Sequence, residues 1–156
     1  MRRIAVGLLV LALGARGPFC GNGKLNLSNA HVKSSYVCPI GSSSADYKVD
    51  GTLDADNQTS ATVTIKSMTM EATVVGFKGN WFDKSMGAKS TSADFPFSPK
   101  TVSAGSKTTI HFTTPWSCTN PAGNTGSYAD FAIALMLDTT AGKLKITANK
   151  HRLQMS

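Results

Sequence analysis

The chain has 156 residues, with 16 Lys and Arg against 9 Asp and Glu and a sequence pI near 9.5. That length suits one ordinary domain and is short for two. The basic residues stand singly, from Lys24, Lys33 and Lys48 to Lys100 and Lys107, and Arg is nearly absent from the body, so the charge reads as solubilising and no nucleic-acid interface is expected.

Residues 1–15 have the layout of a secretory signal peptide: Arg2 and Arg3, an apolar run from Ile4 to Leu13, then Gly14 and Ala15. Cleavage is expected after Ala15 or after Gly14. The run is short for a bilayer, so the mature chain is expected to have no transmembrane span and to be secreted or held in the cell envelope. Cys20 lies just beyond it, but Gly17 and Phe19 occupy the places where a lipidated Cys has Leu and a small residue, which argues against a lipid anchor. Residues 16–30 are Gly- and Asn-rich and read as a mobile lead-in, leaving 31–156 as a single domain.

From there the chain reads as strands and turns. His31 to Ile40 places Tyr36, Cys38 and Ile40 at alternate positions and reads as the first strand, ending at Pro39, and Gly41 to Ala45 reads as a loop. Tyr47, Val49, Gly51, Leu53 and Ala55 share one face, with Lys48, Asp50, Thr52 and Asp54 on the other. Ala61, Val63 and Ile65 alternate after a turn; the apolar set then moves to Met68, Met70, Ala72 and Val74. The phase shift at Lys66–Ser67 implies a bulge or a turn into a new strand. Pro96 and Pro99 confine any strand between them to an edge. Lys107 to Thr114 alternates again and is expected to end at Pro115, with Ser117 to Ser127 as a polar loop. Tyr128 to Ala148 reads as the central hairpin: Phe131, Ile133, Leu135 and Leu137 alternate with Ala132, Ala134 and Met136, apolar on both faces, and Lys143 to Asn149 returns with Leu144, Ile146 and Ala148 on one face. About seven or eight antiparallel strands without a helix predict an all-β protein, a sandwich or barrel.

Three cysteines in an exported chain imply one pair and one thiol left over. Cys38 with Cys118 is favoured, because each sits beside an apolar strand residue and a following turn; Cys20 with Cys38 is the alternative. No CxxC or Cys/His framework for zinc is present.

DGTLDADNQTSATVTI (Asp50 to Ile65), TVSAGSKTTIHF (Thr101 to Phe112) and the final hairpin together resemble a bacterial extracellular immunoglobulin-like or fibronectin-III-like domain over roughly Tyr47 to Ala148. The resemblance implies an immunoglobulin-like β-sandwich. It departs from antibody domains in that Trp81 and Trp116 do not occupy the required strand between the cysteines. Such folds carry adhesion, carbohydrate-binding and scaffold roles alike.

The candidate binding residues are aromatic. Phe77, Trp81 and Phe82 lie in a Gly-flanked stretch, and Trp116 and Tyr128 flank the polar loop; exposed, they could stack on sugar rings or anchor a protein, and buried they simply fill the core. Asp54, Asp56 and Asn57 place oxygens closely enough to raise calcium, but lack the Gly and the distant Glu of a dedicated loop; otherwise no cofactor is expected. Asn26-Leu27-Ser28 and Asn57-Gln58-Thr59 match the glycosylation acceptor pattern. His31, His111 and His151 are far apart and read as separate solvated imidazoles. GxSxG, HExxH and a phosphate-binding Gly loop are all lacking, so the expectation is not an enzyme but an exported binding module for a protein or glycan. The alternative is a structural or adhesion spacer that self-associates through an edge strand near Phe95 or Phe97.

Overall fold

The computed structural model describes residues 23–79, 84–121, 123 and 125–155. The expected signal peptide, Cys20, Trp81 and Phe82 lie outside the described residues. Within them the strands are β1 (Leu25–Val32), β2 (Ser35–Cys38), β3 (Ser42–Asn57), β4 (Val63–Lys78), β5 (Lys89–Thr91), β6 (Phe97–Ser98), β7 (Thr101–Val102), β8 (Lys107–Asn120), β9 (Tyr128–Thr139), β10 (Gly142–Thr147) and β11 (His151–Met155). No helix occurs among the described residues. The chain is an all-β sandwich. One sheet has the order β1-β3-β8-β6 and the other β2-β11-β9-β4-β5, with β10 also on β9 and β7 on β4. The β2–β11 pair is parallel and the other pairs are antiparallel.

β9 is the middle of the second sheet. β4 pairs along one of its edges, while β10 and then β11 share the other. Its alternation decides which side packs: Phe131, Ile133, Leu135 and Leu137 are buried toward the first sheet. The opposite face is not roofed by a third layer among the described residues. Ala134 is buried on that face, but Ala132 and Met136 on either side of it stay half-buried, which corrects the expectation of cover along the whole of both faces. Thr139 closes the hairpin: Ala141 N–H donates to its hydroxyl, which donates to Gly142 C=O, and Gly142 takes a φ of 112° that favours glycine.

β3 and β8 form the long ladder of the first sheet. Tyr47, Val49, Leu53 and Ala55 of β3 face inward with Ile110, Phe112 and Thr114 of β8. Gly51 breaks the row because Phe112 lies across it. A Cβ built there would stand 2.3 Å from Phe112 Cζ and 2.5 Å from the His31 carbonyl oxygen.

Several boundaries differ from the sequence reading, each for a backbone reason. Leu25–Val32 is not part of a mobile lead-in but pairs with β3, with an irregularity between Ser28 and His31 where Asn29 has positive φ. The serines of the expected 41–45 loop belong to β3 from Ser42 onward. The phase shift at Lys66–Ser67 is a bulge, and the chain continues as the same strand; a second irregularity lies between Val74 and Gly76. Pro115 does not end β8, which runs on to Asn120 through the first residues of the expected 117–127 loop. Thr113 N–H points away from β3 to Pro96 C=O, and two residues on, position 115 faces the same way, so its missing N–H interrupts no bond to β3. The strand between Pro96 and Pro99 is β6, at the sheet edge as expected.

The disulfide is Cys38–Cys118, with Cα atoms 6.1 Å apart. It ties β2 of one sheet to β8 of the other, at the end of the sandwich where β2, β4, β8 and β11 terminate.

Candidate functional site at the disulfide-bearing end

That end is where large apolar side chains meet solvent. Val37 (47%), Ile40 (60%), Phe77 (42%) and Met86 (57%) are the exposed large hydrophobics among the described residues. Val37 precedes the disulfide, Ile40 follows it, Phe77 is one residue from the end of β4, and Met86 lies in the segment that returns to β5.

Two residues before Cys38 and Cys118, Tyr36 and Trp116 join an aromatic cluster in which they are half-buried and Tyr47 and His151 are buried. Tyr36 stacks on Tyr47 at 3.9 Å between ring centroids with planes 2° apart. Trp116 stands edge-on to Phe131 at 5.3 Å and to His151 at 5.2 Å. His151 is fully buried rather than solvated, which corrects the sequence reading. Its Nδ1 lies 2.6 Å from Lys33 C=O, an acceptor, so Nδ1 carries the proton and Nε2 accepts from the Tyr47 hydroxyl at 3.3 Å. Burial lowers the pKa of His151 and raises that of Tyr47, so it favours the neutral form of each. The alternation His151, Leu153, Met155 was the sequence signal for this strand and for the inward imidazole.

The aromatic candidates do not form one strip. Phe77 is exposed at the rim. Tyr128 lies on the outer face of the second sheet beneath Arg152, whose guanidinium carbon is 4.0 Å from the ring centroid. Arg152 in turn makes a two-point pair with Asp130 at 2.7 and 2.9 Å, which holds that carboxyl below its ordinary range. Trp116 points inward and is half-buried. It lines a lateral cleft of about 350 Å³ with Met70, Ala72, Phe131 and Leu153, opening between β8 and the segment 90–92. Phe95 and Phe97 are buried, and Phe97 belongs to the edge strand β6.

The calcium candidates separate. Asn57 is fully buried and turned inward: its amide donates to Ala61, Val102 and Ser103 carbonyls and its oxygen accepts from Thr59, tying two turns together. Asp54 and Asp56 face outward. Asp54 accepts from Asn29 and Thr109, which lower its pKa, and Asp56 meets Lys107 at 3.4 Å. Alternation along β3 therefore puts the three residues on opposite faces. Among the described residues no group of three or more His, Cys, Asp or Glu is gathered as a metal site, and no helix is long and apolar enough to cross a membrane.

No family model matches the chain, and no curated protein matches it. Among solved structures it is similar to an alkylpurine DNA glycosylase of Pseudomonas fluorescens bound to DNA containing an abasic site analog, with 8% identity, a TM-score of 0.37 and coverage of 81% of this chain. The chain spans only 30% of that protein's length. It is also similar to a sporulation control protein of Bacillus subtilis, with 14% identity over 86% of this chain and 50% of that one and a TM-score of 0.33. The PapD-like domain 7 of human CEP192 is a third, with 14% identity over 99% of this chain and 96% of that domain and a TM-score of 0.31.

Proposed function

We propose that this chain is an exported, non-catalytic immunoglobulin-like β-sandwich that binds a protein or glycan outside the cytoplasm through its disulfide-bearing end. The observation that carries the reading is the exposure of Val37, Ile40, Phe77 and Met86, the large hydrophobics that face solvent among the described residues, distributed from the β2 edge to the β5 edge near the disulfide-bearing end. Solvent-facing apolar side chains of that size stabilise a complex when a partner removes them from water. The half-buried Trp116 beside its cleft adds an aromatic wall of the kind that receives a sugar ring or an apolar side chain. The Cys38–Cys118 bridge supports an oxidising compartment, as does the signal-like sequence of residues 1–15.

The test is a glycan array and a proximity-labelling screen in the native host, each run with wild type and with an Ile40→Ser/Phe77→Ser double variant. A saturable ligand lost at least tenfold in a double variant of unchanged melting temperature supports the reading. A wild type that binds nothing but dimerises supports the structural spacer instead.

A further inference from the structure

We propose that His31 and His111 form a two-imidazole site for a divalent first-row cation of the zinc, nickel or copper class on the outer face of the first sheet. The strand register assembles it. His31 of β1 is opposite Thr52 of β3, and Thr52 is opposite His111 of β8, so the three stand in one row across three strands. Directly opposed residues share a face, and both His31 and His111 are exposed. Neighbouring strands lie about 4.8 Å apart, which puts the two histidine Cα atoms roughly 10 Å apart. An imidazole bound through Nε2 at about 2.1 Å places its metal roughly 6.5 Å from its own Cα, so two rings leaning over the row can share one ion. The residue between them is Thr, short enough to leave that space open.

The surroundings favour a cation. The two histidines wall an open depression of about 660 Å³ over Thr52. Its other charged liners are Asp50 and Lys33, and its hydroxyls come from Thr52, Ser98 and Thr113. Asp50 is held in place by Thr113, whose hydroxyl donates to it at 2.7 Å. Asp50 and Asp54 flank Thr52 on the outward face of β3, two carboxylates against the Lys33 that lines the depression. Neutral imidazole nitrogens suit zinc, nickel and copper, and the remaining coordination positions are open to water or to a ligand carried with the metal. Nothing in the spacing of His31 and His111 foretells this; the pairing of β1 and β8 on either side of β3 creates it. The row lies in mid-sheet, away from the disulfide-bearing end, so this site and the proposed binding surface stand or fall separately.

Untagged protein is titrated calorimetrically with zinc chloride and with nickel chloride at neutral pH, beside His31→Ala and His111→Ala variants, and histidine imidazole resonances are followed by NMR. The expected result is saturable one-to-one binding, weakened at least tenfold by either substitution, with the His31 and His111 signals shifting together and the His151 signal unmoved. Absence of saturable binding, full affinity in either variant, or a shift at only one of the two imidazoles overturns the proposal. The same titration with the Ile40→Ser/Phe77→Ser variant is expected to match wild type, whatever that variant does to partner binding.

Discussion

The hydroxyl of Tyr47 donates to Nε2 of His151 across 3.3 Å in the interior of the sandwich, while the other ring nitrogen donates to Lys33 C=O. One neutral imidazole thereby joins β3 of the first sheet to β11 of the second and to the turn between β1 and β2. Protonation would put a hydrogen on Nε2, displacing the one that the Tyr47 hydroxyl donates there, and would bury a charge.

Burial holds the His151 pKa below its ordinary value of 6.5, so the unfolded chain takes up this proton before the folded one does. The contribution is fully present above about pH 6.5 and is lost as pH falls through that value toward the lower folded one. The urea midpoint of wild type is expected to fall between about pH 7 and about pH 5, and that of His151→Gln to start lower and fall less over the same range. Parallel profiles for the two proteins would falsify the assignment.

Leu135 is fully buried at the centre of β9, opposite Met70 of β4 and Ile146 of β10. Leu135→Ala removes its packing and leaves a cavity, an expected loss of about 2–4 kcal/mol in equilibrium urea unfolding. A loss below about half a kcal/mol contradicts its central position.

Gly51→Ala is expected to cost about 1–3 kcal/mol, because the new methyl meets the Phe112 ring and the His31 carbonyl at 2.3 and 2.5 Å. Phe112→Leu in the same chain relieves the contact with the ring but not the one with the backbone. A double-mutant cycle should therefore show partial recovery; strict additivity of the two losses would refute the contact.

The Cys38–Cys118 bridge closes a loop of sequence separation 80 between the two sheets. In the chain-entropy description this contributes roughly 4 kcal/mol. Reducing agent should lower the melting temperature, and a non-reducing peptide map should recover the two cysteines in one cross-linked pair. Cys38 and Cys118 found as free thiols in protein prepared without reductant would overturn the pairing.

Thr114 faces the core, and its hydroxyl is buried with no hydrogen-bond partner among the described residues. Thr114→Val keeps the shape and removes the unpaired hydroxyl, so it is expected to stabilise by up to about 1 kcal/mol in urea unfolding. A loss greater than about 1 kcal/mol would show that the hydroxyl has a partner.

Local pattern was enough for much of this molecule. Alternation at Tyr47 to Ala55 and at Phe131 to Leu137 fixed which side chains pack, because side-chain direction in a strand has a period of two that no later contact changes. The phase shift near Ser67 was legible for the same reason, but only the pairing with β9 shows that it is a bulge within one strand and not a turn into another. The flanks of Cys38 and Cys118, each an apolar strand residue followed by turn chemistry, pointed to the bridge. Other features depended on partners distant in sequence. Pro115 reads as a terminator unless β3 is known to lie on the side its nitrogen does not face. Leu25–Val32 reads as a lead-in unless the edge of β3 is there to take it. Asn57 looks like a ligand beside Asp56 until the pleat turns it inward to hold three carbonyls. The histidines show the division most sharply. Their residue type is plain from the chain, but whether an imidazole is buried against Tyr47 or stands in a row with another across Thr52 is set by strand order, which is a property of the sheet and not of any stretch of sequence.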